Sequence, residues 1–498
     1  MSLENKKKKV VIAGGGTSGW LAAAGLSKLL GKTIDVCLVE SAQIGRIGVG
    51  EATIPTLRLF HRLLGINEAE LMREIQATVK FGIEFTNWGE KGDNYFHSFG
   101  SIGKGCWACD FNHFWVAAKQ KNIADEFGAY CVELQAGRKG KAAAGDGSGV
   151  NYAYHLDAGL YAEYLKDFSI KNGATYIEGK IEKVVLSDGT GDIQSLVLDS
   201  GEVVDGDLFI DCTGFSALLI EGALKTGFES YEDFLPCDSA VAVQTKLSDK
   251  PPKPYTQAIA HDFGWQWRIP LQHRIGNGLV YSSRFVSDDE AMATLINNLE
   301  TGAITEPRAF KYKTGRRKAA WNKNCIAVGL AAGFLEPVES TSIHLAMSGV
   351  FRLLKMFPQG ELEQSNIDEF NEQFRREMDS VRNFIILHYH ATERADTPFW
   401  EHCNRMDIPV DLERRLILYK DTGTCKIEPD ELFTVDSWLQ VMMGQRIHTT
   451  KYHPIVDTMT DENLAGFLRS IKESVDKKVD SLPSHQDFLN RYCKSSPI

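Results

Sequence analysis

The chain has 498 residues, a formal net charge of −11 and ten cysteines. This length allows two or three domains, or one large α/β unit with an appended helical part. The acidic balance, with a single short basic tract at 6–9, argues against nucleic acid as a partner. A polar start and the lack of an apolar run of about 18 residues argue against a secretory signal and a membrane span. Scattered cysteines are typical of reduced thiols, so we expect a cytoplasmic protein.

The first recognisable unit lies at 10–40. Residues 10–13 (VVIA) predict a buried strand, and the glycines at 14–19 follow as G-x-G-x-x-G. A helix at 21–30, a second strand at 34–39 and Glu40 complete the unit. Such glycines allow a tight turn and the close approach of a pyrophosphate to a helix start, and the acid can accept from a ribose hydroxyl. The unit predicts a dinucleotide site, and the alternative is a chance glycine turn.

A glycine-rich loop at 43–55 (QIGRIGVGEATIP) comes next. Asn67, with Glu70 three residues later, predicts the start of a helix that runs on to Lys80. A lysine inside an apolar stretch usually extends its ammonium group to solvent. From the pattern alone, a chemical role for Lys80 is therefore the less common interpretation.

Three further patterns leave structural and functional interpretations open. Residues 95–99 (YFHSF) suit either a pocket lining or an aromatic core. Cys106 and Cys109 form C-x-x-C, but no second ligand pair at zinc spacing lies nearby. His388 and His390 lie on a helix predicted at 366–390, where residues two apart do not share a face, so a metal pair is not expected.

Several β runs predict two sheets. The runs within 175–198 are separated by a hairpin signal, and 207–211 is a buried strand that would return to the nucleotide sheet. Residues 240–247 and 278–285 predict strands of a second sheet. Between them, the tryptophans of WQWRIP at 265–270 would share one strand face.

The last motif is EPVESTSIHL at 336–345, which follows a buried strand at 324–330 and opens a helix at 343–357. Serine and threonine here are good N-cap residues, and such a helix start is also an anion site. Glu339 either interacts favourably with the helix dipole or has a chemical role.

Together, GGGTSGW at 14–20, GVGEATIP at 48–55, Lys80, WQWRIP and EPVESTSIHL resemble the flavin-dependent halogenases of the tryptophan-halogenase family. The resemblance runs from about residue 10 to about residue 460, judged by where these motifs lie. W-x-W-x-I-P and the lysine are its most specific marks, since the glycine motif is shared with other flavoproteins.

The resemblance implies an α/β fold with an FAD-binding, Rossmann-like sheet of the two-dinucleotide-fold type, a second mixed β-sheet and a mainly helical C-terminal part. We expect an FAD-binding domain at 1–358, with the substrate-side sheet inserted, and a helical region at 359–498 that packs on the substrate site. The loop at 43–50 would be a strap between the flavin and substrate sites.

The implied chemistry uses FAD, supplied as FADH2 by a separate flavin reductase, with dioxygen and chloride or bromide to make hypohalous acid. Lys80 would hydrogen-bond this oxidant or carry it as a haloamine. Glu339 would polarise the oxidant or take the ring proton, and the amides of Thr341 and Ser342 would hold the halide. A barrier between flavin and substrate would be formed by Trp265, Trp267, Ile269 and Pro270.

The resemblance also assigns binding residues. His97 and Phe99 match the pocket of the family. The expected cofactor-binding residues are Gly14, Gly16, Thr17, Ser18, Gly19, Glu40, Gly48, Glu51, Ile181, Leu330 and Ile343. No metal site is expected, and a homodimer is one open arrangement.

One departure concerns the substrate. Members that act on free tryptophan clamp its amino-acid part with paired tyrosines and a Phe-Trp pair, and the corresponding stretch at 433–453 lacks both pairs. We therefore expect indole or another small electron-rich aromatic compound as substrate, ahead of free tryptophan. The competing functions are a flavin-dependent aromatic monooxygenase and a flavin-binding protein without catalysis.

Overall fold

The structure is a computed structural model, and it describes residues 7–41 and 50–496. Strands and helices alternate in the part before residue 358, whereas the described residues after it form helices and no named strand. One buried apolar cluster runs through both parts, from Val10 to Cys493. Among the described helices, none is long and apolar enough to cross a membrane.

The first sheet has six strands and is parallel apart from one edge strand. Its central strand Lys8–Ala13 lies between Ile34–Glu40 and Leu208–Asp211, so the prediction that residues 207–211 return to this sheet is confirmed. The helix Thr17–Leu30 connects the first two strands and buries Trp20 and Leu21. This arrangement is the Rossmann-like sheet that the glycine motif indicated. In spatial order the strands are Trp321–Asn322, Cys325–Ala327, Leu208–Asp211, Lys8–Ala13, Ile34–Glu40 and Thr175–Glu178.

The second sheet has seven strands, mostly antiparallel, with one parallel pair between Thr256–His261 and Gly82–Thr86. Buried and partly buried residues alternate along Thr256–His261, whereas most residues of Gly264–Pro270 are buried. The strand Gly264–Pro270 pairs with a neighbouring strand on each side. This is the predicted mixed sheet. In spatial order its strands are Arg308–Lys311, Ser239–Thr245, Ile275–Tyr281, Gly264–Pro270, Thr256–His261, Gly82–Thr86 and Asn94–Ser98.

Three small sheets of three strands complete the β-structure. The hairpin predicted within 175–198 is confirmed, since Ile181–Leu186 and Ile193–Leu198 pair antiparallel. The three sheets, in spatial order, are Val203–Asp205 with Ile193–Leu198 and Ile181–Leu186, Phe228–Ser230 with Gly315–Arg317 and Gly333–Phe334, and Gly50–Ala52 with Ala153–Asp157 and Thr78–Lys80.

The prediction of a helix that runs on to Lys80 is correct for its first half and wrong for its second half. Asn67 caps the helix as expected, because its side chain accepts from the N–H of Glu70, but the helix ends at Glu74. Gln76 then takes a positive φ of 56°, which breaks the helix, and Thr78–Lys80 forms a strand paired with Ala153–Asp157. The β-branched pair Thr78 and Val79 fits a fully buried strand better than a helix end.

The α-helices lie in both parts of the chain. The longest, Gln364–His390, covers the stretch predicted at 366–390 and buries its apolar stripe. Among the described residues, eight α-helices precede residue 358: Thr17–Leu30, Thr56–Leu64, Glu68–Glu74, Phe111–Gln120, Val132–Arg138, Ala158–Lys171, Asp288–Asn297 and Ser342–Lys355. The later ones are Gln364–His390, Pro398–Arg405, Val410–Thr422, Val435–Gly444, Asp461–Ser481 and His485–Tyr492.

Candidate active site

A cavity of ≈ 300 Å³ lies at the carboxyl ends of the parallel strands. Its wall includes the start of the helix Thr17–Leu30, the turn after Leu208–Asp211 and one face of Gly264–Pro270. Ligands of doubly wound folds bind at this edge of the sheet. The sequence-predicted residues that line it are Gly16, Thr17, Ser18, Trp265, Trp267, Ile269, Leu330, Ser342 and Ile343.

The glycine turn has the shape that a pyrophosphate site requires. Gly14 has a φ of +105°, and a Cβ atom there would lie 2.3 Å from the carbonyl oxygen of Cys212. At Gly16 an added Cβ would meet no protein atom within 4 Å, so its backbone faces open space. The carboxyl group of Glu40 packs against Gly15, where a Cβ would lie 2.5 Å from Oε2. The turn therefore leaves room for a dinucleotide, with an acid beside it.

The remaining predicted cofactor residues lie outside the cavity lining or outside the described residues. Gly14, Gly19 and Glu40 shape the turn without lining the cavity, and Ile181 lies on a separate hairpin, away from the lining residues. Gly48 and most of the glycine-rich loop lie outside the described residues. The backbone of Glu51 pairs with Leu156 in a strand.

The barrier residues lie on the strand Gly264–Pro270. Trp265, Trp267 and Ile269 point to the same side and close one wall of the cavity. Trp267 fits over the neighbouring strand because its partner is Gly278, where a Cβ would lie 2.0 Å from the indole ring. Pro270 lies outside the cavity lining, and its carbonyl accepts from Thr78 at 2.7 Å.

Lys80 is completely buried, contrary to the usual habit of lysine. Its Nζ donates to the carbonyl oxygen of Thr53 at 3.0 Å and to Oγ of Ser340 at 2.8 Å. Phe99 lies beside it, with Nζ 5.2 Å from the ring centre. Burial lowers the pKa of Lys80 to about 7, although Glu339 opposes the shift. Ser340 also lines the cavity, so the ammonium group lies directly behind the cavity wall.

Glu339 is buried between two histidines. Its Oε2 lies 2.8 Å from Nδ1 of His97, and its Oε1 lies 2.7 Å from Nε2 of His388. The first contact is a hydrogen bond, whereas the second is short but poorly aligned with the ring N–H. Burial alone would raise the pKa of Glu339, but the two histidines outweigh it and lower the pKa to about 2. The carboxylate is therefore ionised at neutral pH.

His388 contacts Glu339, and sequence reasoning did not place it in the site. Its Nδ1 lies 2.9 Å from the hydroxyl of Tyr95, and Gln445 donates to its carbonyl at 2.6 Å. Its pKa is lowered because it is buried. The H-x-H pattern drew attention to a metal pair, whereas the useful signal was that His388 continues the apolar stripe of its helix. A histidine in that stripe must find a buried partner.

A second glutamate, Glu336, is equally buried but has different neighbours. Tyr389 donates a hydrogen bond to its Oε2, and the indole N–H of Trp265 lies near the carboxyl group without a well-aligned hydrogen bond. Burial raises the pKa of Glu336 to about 8. This group is therefore a neutral acid at neutral pH.

The predicted halide residues lie at the start of Ser342–Lys355. Thr341 occupies the N-cap position, but neither it nor its neighbours cap through a side chain, so the capping part of the prediction is wrong. Ser340 instead adopts a left-handed φ of 59° and turns its hydroxyl to Lys80. The amides of the first helical turn have no acceptor within the helix, which leaves them available to an anion.

Aromatic rings surround the two charged groups. Phe384 stacks on Phe433 at 3.8 Å between ring centres, and His97 lies 5.5 Å from Phe384. Trp438 packs edge-on against Phe384 at 4.8 Å. The stretch at 433–453 thus supplies an apolar wall, and its helix Val435–Gly444 lies against the strand Asn94–Ser98.

Fold and site define a class: a dinucleotide-fold protein in which a tryptophan-lined cavity adjoins a separate buried lysine–glutamate pair. Within residues 7–41 and 50–496, no group of three or more His, Cys, Asp or Glu side chains is arranged to hold a metal ion.

Comparison with known proteins defines the class further. The family model for tryptophan halogenase matches residues 9–461. A flavin-dependent halogenase from Xanthomonas campestris is 49% identical, with a TM-score of 0.97 and 99% of each chain covered. A flavin-dependent halogenase from Brevundimonas sp. BAL3 is 40% identical, with a TM-score of 0.94 and coverage of 98% and 100%. The tryptophan 6-halogenase of Streptomyces albogriseolus is 33% identical over 98% of this chain and 99% of its own.

The chain belongs to the tryptophan halogenase family. It is therefore an enzyme, a flavin-dependent halogenase, as the sequence motifs predicted.

Proposed function

We propose that this enzyme halogenates a small, electron-rich aromatic compound of the indole type, using reduced FAD, dioxygen and chloride or bromide. The observation that carries the proposal is the pair Lys80 and Glu339, buried among aromatic rings and joined through Ser340 to the cavity wall. When bound, reduced FAD together with dioxygen supplies the oxidising equivalents that convert halide to hypohalous acid. A reductase in trans would deliver the reduced cofactor.

The cofactor would be held by the start of the helix Thr17–Leu30, where free amides and an open glycine backbone suit a pyrophosphate. Thr341 and Ser342 would hold the halide through their amides, because a helix start favours an anion. Trp265 and Trp267 would keep the aromatic substrate out of the cavity, since they close its wall.

Lys80 would act as the donor to the oxidant. Two of its N–H groups point to Thr53 and Ser340, and an ammonium group retains a third. A hydrogen bond from this group to the oxygen of hypohalous acid would make the halogen more electrophilic. The neighbouring Phe99 ring, 5.2 Å from Nζ, would border the acceptor.

Glu339 would remove the proton from the ring carbon that has been attacked. A ring carbon that bears both halogen and hydrogen is strongly acidic, so a weak carboxylate base is sufficient. His97 and His388 hold the two oxygens, which keeps the carboxylate ionised and fixed in place.

A small substrate is favoured over free tryptophan by the chemistry of the wall. A free amino acid brings an ammonium and a carboxylate group, and each needs a partner when it is buried. The stretch at 433–453 instead contributes Phe433 and Trp438 to a stacked aromatic cluster. An uncharged indole or phenol would match this surface without unpaired charges.

The experiment combines the protein with FAD, an unrelated flavin reductase, NADH and bromide or chloride, and offers indole and L-tryptophan separately. We expect monohalogenated indole to exceed halogenated tryptophan, as measured by mass spectrometry. Lys80→Ala should lower the rate by about 10²- to 10⁴-fold. Lys141→Ala is the matched control, because Lys141 also donates to two carbonyl oxygens but lies outside the site. A clear preference for tryptophan would contradict the proposed substrate. Undiminished turnover in Lys80→Ala would contradict the proposed role of the lysine.

A further inference from the structure

An exposed pair of thiols lies outside the site just described. Cys106 is exposed and Cys109 is partly exposed, whereas the other eight cysteines are buried. Their Sγ atoms are 3.9 Å apart. Trp107, between them, is 93% exposed. The C-x-x-C motif therefore presents two accessible thiols next to each other on the surface.

The backbone of this loop is already shaped for a bond between the two sulfurs. The N–H of Cys106 donates to the carbonyl of Cys109 at 2.9 Å, which closes the loop around Trp107 and Ala108 and brings the two cysteine backbones together. Gly105 permits the close approach, since a Cβ there would lie 2.8 Å from the carbonyl of Cys109. Closing the bond requires the two Sγ atoms, now 3.9 Å apart, to approach to about 2.0 Å.

The two thiols are chemically unequal. The backbone amide of Ala108, followed by that of Cys109, favours the thiolate of Cys106 and lowers its pKa. Burial, followed by the neighbouring Cys106 sulfur, raises the pKa of Cys109 to about 12. Because the thiolate is the nucleophile, Cys106 would attack first and Cys109 would follow as the resolving thiol.

A metal is a poorer explanation for this motif. A structural zinc site takes four ligands of the Cys or His type. Within the described part of the chain, no third His, Cys, Asp or Glu side chain joins the pair in a metal-binding group. Two thiols without further ligands are better suited to redox chemistry with each other.

We propose that Cys106 and Cys109 form a peroxide-reactive dithiol that closes into a disulfide, as a chemical site separate from Lys80 and Glu339. The Cys106 thiolate attacks hydrogen peroxide, the O–O bond breaks, and hydroxide leaves and becomes water. The thiol of Cys109 then attacks the sulfenic sulfur of Cys106, losing its proton as a second water leaves. Both sulfurs are oxidised, peroxide is reduced to two water molecules, and a dithiol reductant restores the pair.

An oxidant of this kind accompanies the chemistry of the enzyme class. Reduced flavin that meets dioxygen in solution yields oxidised flavin and hydrogen peroxide. The inference does not rest on the proposed substrate, because peroxide added as a reagent tests it directly.

The test uses the whole chain in its native state. Reduced protein is treated with hydrogen peroxide, freed of excess peroxide, denatured in the presence of the alkylating reagent and digested with trypsin, which releases both cysteines in the peptide 105–119. We expect this peptide to change from two alkyl groups to none and to lose two hydrogens, with recovery after treatment with dithiothreitol. The buried cysteines, alkylated only after unfolding, are the internal control. A peptide that keeps both alkyl groups under excess peroxide would overturn the proposal.

Single variants test the order of attack. In Cys109→Ser the sulfenic acid on Cys106 should persist and be trapped by dimedone, because the resolving thiol is gone. In Cys106→Ser the dimedone adduct should fall at least about tenfold, since burial still disfavours the thiolate of the remaining Cys109. An equal adduct in both variants would contradict the assignment of Cys106 as the attacking thiol. Neither residue touches the lysine–glutamate site, so halogenation in the reduced state should be unchanged in both.

Discussion

Two buried glutamates, three residues apart in one motif, differ in almost every chemical respect. Glu339 lies between His97 and His388, and its pKa is lowered to about 2. Glu336 accepts a hydrogen bond from the hydroxyl of Tyr389, and burial raises its pKa to about 8. Both side chains are 0% exposed, so burial does not separate them.

The difference shows how neighbours assign roles to identical side chains. Burial raises the pKa of both carboxyl groups, and only Glu339 has partners that can carry the compensating positive charge. An ionised carboxylate can take a proton, whereas a neutral acid can only donate or hold a hydrogen bond. The comparison therefore supports the proposed role of Glu339 as the base and gives Glu336 no such role.

The largest effect is expected for Glu339→Gln. The amide has the same size but cannot take a proton, so we expect the rate of halogenation to fall about 10²- to 10⁴-fold. Product formation per unit time, measured with saturating reduced FAD, checks this. Glu336→Gln is the matched control because it makes the same change at the neighbouring buried position. A rate within twofold of the parent enzyme would remove Glu339 from the chemistry.

A smaller loss is expected for His388→Phe, which removes one of the two partners of Glu339. The uncompensated carboxylate should have a higher pKa, so the acid limb of the pH–rate profile should move to higher pH. We expect about a tenfold lower rate at neutral pH, in keeping with the loss of one buried polar partner. His390→Phe, two residues along the same helix, serves as the control. An unmoved acid limb would mean that His97 alone holds the carboxylate.

The pH dependence of the rate tests the state of Lys80. Its pKa of about 7 means that the ammonium form is lost as pH rises through that value. If the ammonium donates to the oxidant, the rate should fall above about pH 7, by about tenfold per pH unit at the limit. Bromide is the better halide for the measurement, because hypobromous acid stays largely neutral over this range. A rate that rises through the same pH range would favour the haloamine route, which needs the free amine.

The smallest effect on activity is expected for Glu336→Gln. At neutral pH the parent side chain is already uncharged, so we expect less than a twofold change in rate. Stability should respond differently to pH. Since the folded pKa of about 8 exceeds the ordinary 4.5, this carboxyl stabilises the fold fully below pH 4.5 and loses that contribution as pH rises to about 8.

The melting temperature of the parent relative to Glu336→Gln should therefore decline across that interval, as measured by calorimetry at several pH values. A constant difference between the two proteins would show that Glu336 does not titrate as described.

The sequence predicted the glycine turn and the strand after it, because their signals are local. The turn at Gly14 depends on a positive φ and on a close approach to Cys212, and glycine meets both demands wherever it appears. The barrier strand was equally readable, since Trp265 and Trp267 alternate with polar residues. Lys80 was placed on the wrong element because a short buried strand and a helix end have similar apolar patterns.

The sequence by itself determined the family, the Rossmann-like unit and the residues of the lysine–glutamate pair. The tertiary structure alone decided that His388 contacts Glu339 and that Ser340 joins Lys80 to the cavity wall. It also decided that Glu336 and Glu339, nearly adjacent in the chain, take opposite charge states. The physical reason is that a pKa depends on groups brought close through space, and those groups come from distant parts of the chain.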